Sequence, residues 1–189
     1  MQTGMQTGII VLAAAIGITA VYFVSDYNRL VVLKNRIENA FSQIDVQLKR
    51  RSDLIPKLVE SVKGYAKYEK GVLKEITAAR AMAEGARSVS DKAKADVKME
   101  SALKTFFAVA ESYPKLRANE NFLLLQEEIS GTENKIAYSR QFYNDTVMHF
   151  NSTIQMFPTS IIASIFRFQK RDFFKAEESE KADVKMSMQ

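Results

Sequence analysis

The chain has 189 residues, room for roughly one domain and an appendage. It contains no cysteine, which excludes disulfides, thiol catalysis and cysteine-ligated metals. Its net charge of +5 arises from 27 basic residues interleaved with 22 acidic ones, a balance that does not by itself mark a nucleic-acid-binding protein.

The first 25 residues carry no charged side chain. Their core, IIVLAAAIGITAVYFV at 9–24, makes a helix of about 24 Å. That is a little short for a hydrocarbon layer of about 30 Å, and the uncharged residues 4–8 can extend it. A cleaved signal peptide is the rival reading, but it calls for a basic leader and a small-residue cleavage site that this stretch lacks. A retained transmembrane anchor over 1–26 is the expectation. Tyr22 and Tyr27 suit the interface, and Arg29, Lys34 and Arg36 follow the span while no base precedes it. The positive-inside rule then places the body in the cytoplasm and the amino terminus outside. The doubled start MQTGMQTG makes either Met1 or Met5 the initiator, and the repeat KADVKM at 94–99 and 181–186 is too short for a structural unit.

Beyond the anchor the apolar residues recur with helical period. Leu30, Ile37, Ile44, Leu58 and Tyr65 fall on one heptad position; Phe41, Leu48, Ile55 and Val62 fall on the other. This coiled-coil-like seam predicts a first helix over 27–65, about 58 Å long. A second helix is predicted over 68–86, with Val72, Ile76, Ala79 and Ala83 inward. Gly85 ends it, and Ser88 or Ser90 caps the next. The third is predicted over 91–113, with Met99, Leu103, Phe106, Ala110 and Tyr113 inward, closing before Pro114. The fourth is predicted over 119–157, with Phe122, Leu125, Ile129, Thr132, Ile136, Tyr143, Val147, Phe150, Ile154 and Phe157 on its stripe. Short connections favour antiparallel neighbours. The expected fold is therefore all-α: a transmembrane helix continuing into an up-down-up-down four-helix bundle over 27–158. Its first and fourth helices are long, and its second and third are shorter.

Setting the fourth helix antiparallel to the first, with Tyr65 level with Asn119 and Tyr27 level with Phe157, brings Arg51 level with Glu133. Arg51 is the one charged residue on the first seam, and EEISGTEN at 127–134 is where the fourth helix turns polar. The expectation is a structural polar layer of Arg51 with Glu133, or with Glu127 or Glu128. Just beyond it Pro56 is expected to bend the first helix by denying the Ser52 carbonyl its helical donor. Such a layer fixes register between two otherwise interchangeable seams; an anionic ligand at Arg51 is the alternative. Lys49–Arg51 also resembles a polybasic lipid patch, but it lies about 30 Å or more along the helix from the span, beyond the reach of screened electrostatics.

The remaining 159–189 form an aromatic and basic arm. In it Ile161, Ile162, Ile165, Phe166, Phe168, Phe173 and Phe174 alternate with Arg167, Lys170, Arg171 and Lys175. Arriving back at bilayer height, these residues suit contact with anionic headgroups. The competing reading packs them against the bundle. Stacking on single-stranded nucleic acid is a third use of such a mixture, and membrane tethering argues against it. Catalytic sets are missing: the single histidine, His149, cannot supply a di-iron or zinc site, and no phosphate-cradling glycine loop is present. No cofactor or metal is expected.

The segments QLKRRSDLIPKLV, YPKLRANENF and YNDTVMHFN, within 27–69 and 113–158, resemble the LemA family of bacterial membrane proteins. The resemblance covers most of the chain. It implies one amino-terminal span, an antiparallel helical bundle, no known catalytic activity and a bacterial inner-membrane location, and some members are associated with magnetosome membranes. The sequence departs from the family pattern at Gly131, at Arg167, where a small residue is usual, and in its final VKMSMQ. The expectation for function is a non-enzymatic, membrane-anchored helical scaffold or interaction protein, self-associating, membrane-shaping and bound to the bilayer, with protein partners unspecified. The alternative is a membrane-associated sensor or regulator that binds an anion at the Arg51 layer.

Overall fold

The computed structural model describes residues 2–64 and 69–175. Among these residues there are six α-helices and no strand: α1 (Gln2–Val62), α2 (Lys70–Gly85), α3 (Val89–Ala110), α4 (Pro114–Arg117), α5 (Glu120–Thr153) and α6 (Thr159–Ile165). The apolar amino-terminal stretch and the first seam form one uninterrupted helix, α1, with Pro56 inside it. The predicted ends at Tyr65 and Tyr68 fall outside the described residues.

The chain divides into two compact units. The first comprises the chain up to Asn39 together with Asp145–Arg171; the second comprises Ala40–Asn144 together with the chain from Asp172. In the first unit Leu30, Leu33, Ile37, Val147, Phe150, Ile154, Ile162 and Ala163 are buried. Residues 6–22 of α1, by contrast, are exposed on every side. In the second unit a single apolar cluster joins Leu54, Ile55, Leu58 and Val62 of α1 to Ile76 of α2, to Met99, Leu103 and Phe106 of α3, to Leu116 of α4, and to Phe122 and Ile129 of α5. Full burial of each Leu, Ile or Phe here contributes roughly 1.5–3 kcal/mol against the entropy of ordering the chain.

Local chemistry sets the helix ends. Ser88 caps α3 by accepting from the Asp91 N–H at 3.0 Å, and the Asp91 carboxylate accepts from the Ser88 N–H at 3.3 Å, a reciprocal capping box. These bonds hold the Asp91 carboxyl below the usual carboxylate range. Asn119 Oδ1 accepts from the Phe122 N–H at 3.1 Å and so starts α5. Pro114, set where it needs no donor, opens α4, a short helix that buries Leu116 and that the periodicity did not reveal.

The predicted fourth helix is corrected at its far end. α5 stops at Thr153, not at 157. The Gln155 and Met156 N–H groups tighten onto the carbonyls of Ser152 and Thr153, and the approach to Pro158 disfavours helical angles at Phe157. Phe157 is consequently 82% exposed instead of lying on the stripe. The chain then turns through a cis Phe157–Pro158 peptide into α6. Tyr27 meets not Phe157 but the rings of Phe166 and Phe168, at 4.5 and 6.1 Å.

Candidate functional site

Arg51 lies in the seam of α1 with its side chain only 2% exposed. Its Nη1 donates to both Glu133 oxygens, at 2.9 and 3.0 Å. Its Nη2 donates to Asp96 Oδ1 at 2.8 Å. The other Asp96 oxygen accepts from Arg140 Nη1, also at 2.8 Å, and the Asp96 side chain is as buried as that of Arg51. The layer thus contains two guanidinium groups and two carboxylates, contributed by α1, α3 and α5, with no net charge. Charges taken this far from water require such pairing, because an isolated one would cost several kcal/mol.

The layer is placed by helix register. Phe41 lies against Tyr143, with ring centroids 5.7 Å apart, and Arg51 is bonded to Glu133. Residue numbers therefore fall along this part of α5 as they rise along α1. Burial pushes the Glu133 carboxyl above its ordinary range; Arg51 opposes the shift, while Asp96 and Glu100 add to it. Burial is the larger effect.

Neither Glu127 nor Glu128 joins Arg51. Glu127 is exposed, and Glu128 accepts from Arg50 at 3.2 Å on the surface. Lys49 pairs with Asp53 on the same helix. The three consecutive cations Lys49–Arg51 each face a carboxylate. Pro56 is exposed, and α1 runs on through it. The Ser52 carbonyl that Pro56 leaves without a helical donor accepts from Arg80 Nε of α2 at 3.1 Å. Arg80 also holds Glu84 at 2.8 Å. A groove beside the layer, lined by Asp45, Ser52, Glu84, Lys92 and Asp96, is similarly self-paired, since Lys92 binds Asp45.

Sequence reasoning missed Asp96 and Arg140, although both left a trace. Asp96 occupies the stripe position three residues before Met99 and seven before Leu103. Arg140 fills the gap between Ile136 and Tyr143 on the α5 stripe.

The arm is partly corrected. Phe174 is 1% exposed, its ring lies beneath the Arg140 guanidinium at 5.5 Å, and it cannot serve as a headgroup contact. Asn144 holds it by its backbone, with Oδ1 accepting from the Phe174 N–H at 2.8 Å and Nδ2 donating to the Phe174 carbonyl at 3.2 Å. Tyr143 Oη donates to the Asp172 carbonyl at 2.9 Å. In the first unit Asn151 grips Arg171 in the same manner, at 2.8 and 2.9 Å. There Phe168 is half-buried against Phe150. Ile165, Phe166, Arg167, Lys170, Arg171, Phe173 and Lys175 remain exposed. Arg167 sits at φ 56°, the left-handed region in which a glycine would be unstrained.

Among the described residues no group of three or more His, Cys, Asp or Glu side chains could hold a metal ion. Among the described residues one helix is long and apolar enough to cross a membrane, and its apolar window is wholly exposed. Fold and site together define an all-helical protein with one amino-terminal helix of membrane-spanning character and a buried ionic layer in its seam. The chain belongs to the LemA family, which matches residues 40–188. It is similar to Protein LemA of Metamycoplasma hominis, with 32% identity over 194 aligned positions that cover 99% of this chain and 87% of the relative.

Proposed function

We propose that the chain is a non-enzymatic scaffold, anchored by the first part of α1 in a bacterial inner membrane with the amino terminus outside. Its body is an antiparallel up-down-up-down bundle in the cytoplasm that associates with further copies and with protein partners. The observation that carries this reading is the complete exposure of residues 6–22. An apolar surface of that length demands a lipid environment. The ionic layer fits a structural role, because its four charges satisfy one another. An incoming anion would have to displace Glu133 or Asp96 from a guanidinium that is 2% exposed, which weighs against the ligand-sensor alternative. Self-association is supported by a groove between α1 and α5 lined by Val46, Gln47, Gly131, Lys135 and Tyr138, of which Val46 and Tyr138 are well exposed.

Alkaline extraction of native membranes, followed by cross-linking, tests the proposal. The chain should stay in the pellet and yield oligomer bands. Release into the supernatant removes the anchor, and a strictly monomeric pattern removes the self-associating scaffold.

A further inference from the structure

We infer that the turn after α5 and the outer face of α6 form a second, shallow membrane contact: an apolar wedge seated in the headgroup layer beside the span. The inference rests on the anchor reading. Met156, Phe157, Ile161, Ile165 and Phe166 are all large, apolar and exposed. α6 buries Ile162 and Ala163 on one side while presenting Ile161 and Ile165, one turn apart, on the other. Ser160 and Ser164, also one turn apart, give α6 a narrow polar edge, and the exposed Ile161 and Ile165 form an apolar strip beside it.

The occupant is a bilayer because of where this patch lies. The Phe166 ring is 5.8 Å from that of Phe23 and 4.5 Å from that of Tyr27. Phe23 belongs to the final turn of the apolar stretch, which ends at Val24, and Tyr27 lies one turn further on, after Ser25 and the buried Asp26. The patch therefore continues the exposed span at the level where the span leaves the hydrocarbon, the depth at which aromatic rings partition. Arg167, Lys170 and Arg171 follow it, exposed, with Glu38 near Arg171 at 3.7 Å. An apolar wedge edged with cations suits an anionic lipid surface. Beyond the aromatic arm, which already includes Ile161, the contact adds Met156 and Phe157 and leaves out the buried Phe174.

The chain contains no tryptophan, so a single introduced one reports its own surroundings. Full-length Phe157→Trp, Ile161→Trp, Ile16→Trp and Glu100→Trp variants are reconstituted in vesicles of phosphatidylethanolamine and phosphatidylglycerol. The lipids carry bromines at either shallow or deep acyl positions. Circular dichroism checks that each variant keeps its helicity. The inference requires blue-shifted emission from Phe157→Trp and Ile161→Trp, quenched mainly by shallow bromines. Ile16→Trp should be quenched mainly by deep bromines, and Glu100→Trp by neither. Red-shifted, unquenched emission at both 157 and 161 beside a quenched Ile16→Trp overturns the wedge and leaves the anchor standing. Blue-shifted emission that no bromine quenches means that protein, such as a second copy, covers the patch, and this also overturns it. An unquenched Ile16→Trp overturns the anchor and the wedge together.

Discussion

Two stretches of α1 less than one turn apart solve burial in opposite ways. From Leu54 to Val62 the inward side chains are aliphatic and join a cluster that also includes Phe106 and Phe122. At Arg51 the same seam buries a cation between two carboxylates. Aliphatic packing is undirected, and a neighbouring seam shifted by one heptad would present similar partners. A guanidinium whose fork meets Glu133 and Asp96 has one satisfactory alignment. We propose that the cluster supplies most of the stability and the layer the register.

The contrast can be broken from either side. Phe106→Ala empties a fully buried site and should cost about 4 kcal/mol in denaturant unfolding followed by circular dichroism. Asp96→Ala should cost about 3 kcal/mol in the same assay, since it leaves Arg51 buried and half-paired. A stability unchanged by Asp96→Ala would show that the layer admits water freely. The triple replacement Arg51→Met, Asp96→Leu and Glu133→Leu sharpens the comparison. It should lie within about 1 kcal/mol of the wild type, because no buried charge remains unpaired. Arg140, 31% exposed, can turn to solvent. The triple variant should instead show multiple amide resonances for α5, the signature of lost register.

The smallest effect is electrostatic. The folded-state pKa of Glu133 lies above its ordinary 4.5, so the native protein holds that proton more tightly than the unfolded chain. Its contribution to stability is greatest below 4.5 and is lost as pH rises through the elevated folded value. The stability of the wild type relative to Glu133→Gln should therefore decline across that window and level off above it. A flat difference would mean that Arg51 fully offsets the burial.

Much of the helical architecture could be read from the heptads, because apolar residues at regular spacing leave few alternatives. Arg51 stands out in the sequence as a cation on an otherwise apolar seam. Asp96 and Arg140 are harder to see. Each replaces one stripe residue, and a helical stripe tolerates a gap without losing its period. The end of α5 was misplaced because Phe157 continues the spacing perfectly, while the backbone restriction imposed by Pro158 acts before it. The arm was ambiguous for another reason: alternating aromatics and bases look alike whether they meet lipid or protein. What separates Phe174 from Phe166 is a pair of amide hydrogen bonds from Asn144, and no side-chain pattern in the arm records them.

Those amide bonds have a consequence of their own. Asn144 and Asn151 each bond both the N–H and the carbonyl of a single residue, and Tyr143 adds a donor to a carbonyl. Main-chain atoms are common to every amino acid other than proline, so this grip is blind to identity. A foreign peptide spliced in at 169–173 would seat as the native one does if it left position 171 an N–H to offer. Position 174, whose ring is buried beneath Arg140, would still insist on an aromatic ring.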